Sequence, residues 1–331
     1  MSLSVLSLDS MKKKNRILLV FIAGLAFIAS SCNAKNGAAP STTEGSLDVY
    51  CAESVSPSIT QIANEFMSLY SKAHVNIHAV PTRTAIVKLL NSETKLIVAS
   101  RRFNQGELDV MKKYNIEVDS MIIAYDAAVV IVNHENSIDS INTDQLRGIY
   151  TGKITSWNKL EKGFYGRIIP VLESPNSGVV EYFKDRVLGN EKFAEAYPCT
   201  TMAQVYSFVR DNPRAIGFIS VDWHFFGPSL LPSKKPEPRW IKVAEVDSSA
   251  ISLVDPNSFG SYFYPFQAYI GLRRYPLTHP IYFFSTDFNV GLATGFLTFA
   301  AGNEGQKIFQ KNQLLPATVP IRYVQLNNHP L

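Results

Sequence analysis

Hydroxyl and guanidinium side chains cluster at four places where an apolar, strand-like run gives way to a short polar loop that opens a helix. These loops span residues 51–57, 80–85, 99–102 and 172–178. A helix N-terminus offers free N–H donors and the positive end of the helix dipole, hydroxyls add donors, and arginine adds a two-pronged donor. Serine and threonine also cap helices in proteins of every function. One such loop therefore predicts only a helix start, whereas four together predict an oxyanion site.

Other kinds of chemistry have weaker support in the sequence. His74 and His78 lie four residues apart on a predicted strand without a nearby acidic or cysteine partner, so we expect no metal there. A hydrolase needs a metal cluster or an activated nucleophile, and the sequence has neither a Gly-x-Ser-x-Gly elbow nor a P-loop. We therefore expect a binding protein without a cofactor and not an enzyme. The aromatic run 259–266 predicts packing, with a cage for an organic ligand as the alternative.

Strand-like and helix-like runs alternate from Leu47 onwards, as in a parallel sheet covered by helices. The alternation restarts after two predicted strands, 121–124 and 127–132, joined by Tyr125 and Asp126. Later runs predict a loop at 228–238, a strand at 268–273 and an extended stretch at 321–324. The pattern indicates an α/β fold with two lobes. Ligands bind at the carboxyl ends of strands in such sheets, and two lobes can close over them by a hinge.

The N-terminus has the pattern of an export signal. A basic stretch, 12–16, precedes an apolar run of 13 residues, 17–29, and Cys32 follows two serines. A membrane-spanning helix needs about 20 apolar residues, so residues 1–31 are predicted to be a signal peptide. The small residues before Cys32 predict a lipid on this cysteine, although Ala29 stands where leucine is usual. A signal peptide cut elsewhere is the alternative, and Met11 is an alternative start.

The residues after Cys32 predict a tethered and nearly neutral protein. Residues 32–46 are mostly small and polar, which suits a flexible tether. The chain has 32 basic and 28 acidic side chains, of which four and one lie in residues 1–31, so 28 and 27 remain. This balance excludes a nucleic-acid partner. Cys51 and Cys199 could pair in an oxidising compartment, but we expect two free, buried thiols. We expect a monomer anchored in the periplasm or at the cell surface.

Three motifs resemble those of the phosphate-binding proteins of ABC transporters, which have the type 2 periplasmic binding protein fold. They are Ile-Tyr-Thr-Gly-Lys-Ile-Thr-Ser-Trp-Asn at 149–158, Ser-Pro-Asn-Ser-Gly at 174–178 and Asn-Pro-Arg-Ala-Ile-Gly-Phe at 212–218. The resemblance implies one lobe of residues 47–124 and 260–331 and another of residues 125–259. It also implies phosphate in the cleft between them and delivery to an ABC permease. Sulfate or another tetrahedral oxyanion, and a surface sensor or adhesion module, are the alternatives.

The resemblance further implies which groups hold the ligand. Carried over position by position, they are Ser54, Val55, Thr82, Thr84, Ser100, Arg101, Ser174, Ser177, Gly178 and Val179. The family commonly has Asp at position 101, Arg at 173 and Thr at 179, where this chain has Arg101, Glu173 and Val179. We therefore expect Glu173 to accept the proton that phosphate carries and sulfate lacks. Arg101 would be its partner and the counter-charge of the anion. A Glu173 that faces solvent is the alternative.

Overall fold

The computed structural model describes residues 41–160 and 164–318. The predicted lipidation site Cys32, most of the predicted tether and the predicted extended stretch 321–324 lie outside these ranges. Within them, no helix is both long and apolar enough to cross a membrane.

The described residues form a mixed α/β structure. The strands are β1 (Gly45–Ala52), β2 (Ala73–Val80), β3 (Leu96–Ala99), β4 (Asp119–Val132), β5 (Ser140–Asn142), β6 (Ile169–Leu172), β7 (Tyr197–Pro198), β8 (Ala215–Ser220), β9 (Arg239–Trp240), β10 (Lys242–Ala244), β11 (Thr278–Ser285) and β12 (Leu315–Pro316). The helices are α1 (Ser56–Leu69), α2 (Thr82–Leu90), α3 (Gln105–Tyr114), α4 (Thr143–Tyr150), α5 (Gly178–Phe183), α6 (Met202–Asp211), α7 (Val221–Leu230), α8 (Gln267–Gly271), α9 (Leu292–Ala301) and α10 (Asn303–Lys311). Alternation of strands and helices confirms the predicted α/β class.

The main sheet has two halves that share one long strand. Its order is β2-β1-β3-β11-β4-β8-β6-β7. In the first half β1 runs parallel to β2 and β3, and in the second half β6 runs parallel to β7 and β8. Strand β4 pairs antiparallel with β11 up to Ala127 and with β8 from Ala128 onwards. Two parallel groups are thus joined through the antiparallel pair β4 and β11.

Local sequence explains the starts of the helices that matter most here. Pro57 lies in the first turn of α1, where its missing N–H costs nothing. Asn104 and Glu107 form a capping box at α3, in which each side chain accepts a hydrogen bond from the other residue's backbone. Asn142 and Gln145 do the same at α4. These caps satisfy N–H groups that would otherwise have no partner.

A predicted break between two strands and one predicted strand near the end of the chain were wrong. The predicted strands 121–124 and 127–132 are one strand, because Asp126 does not make a turn: its buried carboxylate accepts hydrogen bonds from the N–H groups of Ala127 and Val221. The predicted strand 268–273 is helix α8, a short apolar run of the kind whose periodicity does not separate helix from strand.

Two elements were missed. Helix α7 covers the first residues of the predicted loop 228–238, and its apolar residues lie on all sides with Pro228 inside it. Strand β11 was also missed, although it lies between β3 and β4 in the sheet; Pro280 within it speaks against a strand in the sequence pattern.

Candidate functional site

Three of the predicted loops meet at a single point. Thr82 follows β2, Ser100 follows β3 and Gly178 opens α5 after β6. The hydroxyl oxygens of Thr82 and Ser100 lie 3.0 Å apart. A Cβ atom placed on Gly178 would lie 2.3 Å from the Ser100 hydroxyl and 2.5 Å from the Thr82 hydroxyl, so only glycine fits there. We call Thr82, Ser100 and Gly178 the junction cluster; it joins the two halves of the sheet.

A backbone contact beside the junction cluster also joins the halves. The N–H of Arg83, in the first turn of α2, donates to the carbonyl of Asn176 at 3.2 Å. A turn holds Asn176 in place, because the N–H of Ser177 donates to the carbonyl of Ser174 at 2.9 Å. The loop before α5 is therefore packed against the N-terminus of α2. Ser174 serves as a turn residue here, with its hydroxyl accepting from the N–H of Asn176.

Glu173 is buried next to the junction cluster, so the alternative that it faces solvent was wrong. Its carboxyl accepts a hydrogen bond of 2.6 Å from the hydroxyl of Ser177 and is 6% exposed. Burial raises the pKa of Glu173 to about 8, against the lowering effect of Ser177, and the charge of Glu53 adds to the rise. Glu173 therefore carries a proton at neutral pH and can donate a hydrogen bond.

Glu53 is a second acid at this site, and sequence analysis missed it. It directly precedes Ser54 and accepts a hydrogen bond of 3.1 Å from the N–H of Met202, the first residue of α6. Burial raises its pKa. Ser54 is buried, and its hydroxyl has no hydrogen-bond partner within the described residues. The sequence indicated the role of Glu53 only by placing an acid in a loop whose other residues suit an anion.

Arg101 does not pair with Glu173, contrary to our prediction. Its guanidinium donates two hydrogen bonds of 2.8 Å to Glu107 and forms an ion pair with Glu181 of α5. The carboxyl of Glu107 also accepts a hydrogen bond from the N–H of Asn104 in the capping box of α3. The capping box therefore orients this carboxyl toward Arg101. Two carboxylates thus neutralise the guanidinium of Arg101. The ion pair of Arg101 with Glu181 also joins the β3–α3 loop to the second half of the sheet.

The remaining predicted residues lie in different surroundings. Val55 and Val179 are fully buried in the hydrophobic core and offer only backbone groups. Thr84 is half-buried and lines a shallow surface pocket with Arg83 and Asn176. The structure therefore brings Thr82, Ser100, Ser177, Gly178 and Glu173 together, but not Thr84.

A buried acidic network lies behind the first helix, and sequence analysis missed this too. Asp222 of α7 accepts hydrogen bonds from the N–H and the hydroxyl of Ser58, at 3.0 and 2.6 Å. Burial raises the pKa of Asp222 to about 8 and that of Asp126 to about 7. His279 of β11 has its Nε2 atom 3.7 Å from the carboxyl of Asp126, and burial lowers its pKa to about 4. The signal in the sequence was the position of Asp222, which lies two residues after the end of β8, as Ser54 lies two residues after the end of β1.

The groups of this site can bind an oxyanion. Hydroxyls, helix N–H groups and a protonated Glu173 can all donate hydrogen bonds to an oxyanion. Within the described residues, no three His, Cys, Asp or Glu side chains are grouped as a metal site requires. Cys51 and Cys199 are free and buried, as predicted, and burial raises the pKa of both thiols. Raised thiol pKa values make these cysteines poor nucleophiles.

Comparison with known proteins agrees with this fold. Residues 36–304 match the family model described as the PBP superfamily domain. The chain is 24% identical over 231 residues to the phosphate-binding protein PstS of Staphylococcus aureus strain USA300, covering 69% of this chain and 68% of that protein.

Solved structures give the same result. A phosphate ABC transporter substrate-binding protein of Clostridium perfringens, with bound phosphate, superposes with a TM-score of 0.68 at 21% identity, over 82% of this chain and all of that one. An ABC-type phosphate transport receptor of Vibrio cholerae has a TM-score of 0.59 at 18% identity, with the same two coverages. The predicted periplasmic binding protein fold is confirmed, and the chain belongs to the PBP superfamily.

Proposed function

We propose that the protein captures phosphate outside the cytoplasmic membrane and delivers it to an ABC permease. The observation that carries this proposal is the junction cluster, in which Thr82 and Ser100 meet Gly178 from the other half of the sheet. An anion held there contacts both halves at once, as closure around a ligand requires. The names of the relatives in S. aureus and C. perfringens support phosphate as that anion.

The proposed site residues follow from this placement. The hydroxyls of Ser54, Thr82 and Ser100 and the N–H groups of Val55, Gly178 and Val179 donate to the phosphate oxygens. Ser177 holds the carboxyl of Glu173 beside them, and Ser174 shapes the loop. Glu173 contributes a proton donor or acceptor. Arg101 acts through Glu107 and Glu181, which supports a role in holding the loops and not in contacting the ligand. Thr84 lies at the outer edge of the proposed site, in the surface pocket with Arg83 and Asn176.

The architecture supports two lobes with β4 crossing between them. Its change of partner at Ala127 and Ala128 lies close to the proposed boundary at residues 124 and 125. Phe263 pairs with Val243, which favours a second boundary near the start of β11 at Thr278 and not at residue 260. In this proposal the protein is a monomer, carries a lipid on Cys32 and performs no catalysis.

Thermal unfolding in the presence of different anions tests the proposal. A ligand that binds only the native state raises the melting temperature, by an amount that grows with its concentration. Phosphate should stabilise the protein, and arsenate, sulfate and molybdate should follow according to their fit. No stabilisation by any of these anions at millimolar concentration would refute an oxyanion-binding function. Hydrolysis of a chromogenic phosphate ester would refute the proposal that the protein is not an enzyme.

A further inference from the structure

A cavity of about 490 Å³ lies between the two halves of the sheet, and Ser100 of the junction cluster is one of its lining residues. One wall is formed by residues 100–104 and by His279, Pro280 and Tyr282 of β11. The other wall is formed by Glu181, Tyr182, Asp185 and Arg186. Ser100 belongs both to the junction cluster and to this cavity, so the two spaces are adjacent.

Helical spacing shows how the cavity runs. Gly178, where α5 begins, packs against Ser100. Glu181 and Tyr182 follow three and four residues later on α5 and share its face with Gly178. Asp185 and Arg186 lie in the π-helical turn 184–188 that continues α5, and they line the same cavity. The cavity therefore extends along that face, away from the junction cluster and toward the exposed residue Arg102.

The lining of the cavity is built for an organic group. Phe103 and Tyr282 supply aromatic surface, and the guanidinium of Arg102 lies over the Tyr282 ring while its Nε donates to the Tyr282 hydroxyl at 2.7 Å. Within the described residues, Arg102 and Asp185 form no ion pair, whereas Arg101 and Arg186 are each paired with glutamate. His279 is 1% exposed, and neither of its ring nitrogens has a hydrogen-bond partner in the described chain. The lining thus combines aromatic surface with charged and polar groups, which suits a small organic ligand that carries polar substituents.

We propose that the protein binds substituted tetrahedral oxyanions, phosphonates or phosphate monoesters, with the oxyanion group at the junction cluster and the organic substituent in this cavity. The proposal rests on the proposed oxyanion site and extends it. Inorganic phosphate is far smaller than this cavity. A short aromatic or alkyl substituent can instead follow the α5 face and pack between Tyr282 and Tyr182. The uncompensated charges of Arg102 and Asp185 then face polar groups on that substituent.

Calorimetric titration of the whole protein with inorganic phosphate, methylphosphonate and phenylphosphonate tests this inference. We expect phenylphosphonate to bind with one-to-one stoichiometry, at least as tightly as phosphate, and to compete with it. Binding of phosphate without binding of either phosphonate would overturn the inference and leave the proposed function intact. Binding of phenylphosphonate without competition would also overturn it, because the two parts would not form one site. Failure of all three ligands would instead refute the proposed function, and the inference with it.

A matched pair of variants locates the substituent. Asp185 and Lys184 are adjacent and both exposed, but only Asp185 lines the cavity. Asp185→Tyr should lower the ratio of phenylphosphonate affinity to phosphate affinity at least tenfold, because the new ring fills the cavity. Lys184→Tyr should leave this ratio within a factor of two. Equal ratios in the two variants would show that the substituent does not lie along α5.

Discussion

At the residue scale, Glu173 determines the proton balance of the proposed site. With a pKa of about 8, it is protonated at neutral pH and donates a hydrogen bond to any tetrahedral oxyanion. Above pH 8 it is ionised and repels sulfate, whereas phosphate can give it a proton. Exclusion of sulfate by Glu173 therefore requires the ionised form of its carboxyl.

Selectivity should therefore depend on pH. We predict that the ratio of phosphate affinity to sulfate affinity rises at least tenfold between pH 6.5 and pH 9, measured by calorimetry. In Glu173→Gln the amide donates at every pH, so sulfate should bind at pH 9 and the ratio should stay low. Glu117→Gln, at an exposed acid, is the control and should behave as the wild type. An unchanged ratio in the wild type would contradict this role for Glu173.

Arg101 is predicted to act through stability. Arg101→Ala leaves Glu107 and Glu181 without their cation in a mostly buried place, which should cost about 3 kcal/mol of unfolding free energy. The neighbouring Arg102 is exposed and forms no ion pair within the described residues, so Arg102→Ala should cost under about 1 kcal/mol. Urea denaturation measures both. Equal losses would show that the ion pairs of Arg101 contribute little.

At the element scale, the site depends on how closely two loops approach each other. Gly178→Ala would place a methyl group against the hydroxyls of Thr82 and Ser100 and push the halves of the sheet apart. We predict at least a hundredfold loss of phosphate affinity, with an unfolding free energy lower by about 1–3 kcal/mol. Gly291→Ala is the control, because nothing lies within 4 Å of the added atom and Gly291 has an extended backbone. Wild-type affinity in Gly178→Ala would contradict the proposed closure.

Local patterns were sufficient to predict the elements that carry the site. Helices α3 and α4 begin at capping boxes and strand β8 is an apolar run, so a few neighbouring residues define each of them. The strand-to-helix loops were found for the same reason. The partners of Arg101 could not be predicted from local sequence, because Glu181 lies 80 residues away and only the fold brings it near. Asp126 was read as a turn because a polar residue inside an apolar run usually interrupts a strand.

At the scale of the whole molecule, buried acids should make stability depend on pH. Glu173, Asp126 and Asp222 have raised pKa values, so the native state keeps protons that the unfolded state has lost. Stability then falls as pH rises through the range from about 4 to 8. The lowered pKa values of His224 and His279 act in the opposite direction, but only below about pH 6.5, where the unfolded histidines take up protons.

Between pH 7 and pH 8 the acids therefore dominate. We predict that the unfolding free energy falls by roughly 1–2 kcal/mol over this interval, measured by urea denaturation at constant ionic strength. Asp222→Asn should reduce this slope, because asparagine can still bond to Ser58 without titrating. A stability that is constant or rises between pH 7 and pH 8 would show that these carboxyls are not held protonated.

In the proposed function, a tetrahedral oxyanion binds where the two halves of the sheet meet. Calorimetric titration of phosphate into the wild type and into Thr82→Val, Ser100→Ala and Thr298→Val tests it most directly. The first two variants each remove a hydroxyl from the junction cluster, and Thr298 is an exposed residue of α9. We predict one-to-one binding to the wild type and to Thr298→Val, and at least a tenfold loss of affinity in the other two. Equal affinity in all four proteins would show that the anion binds elsewhere.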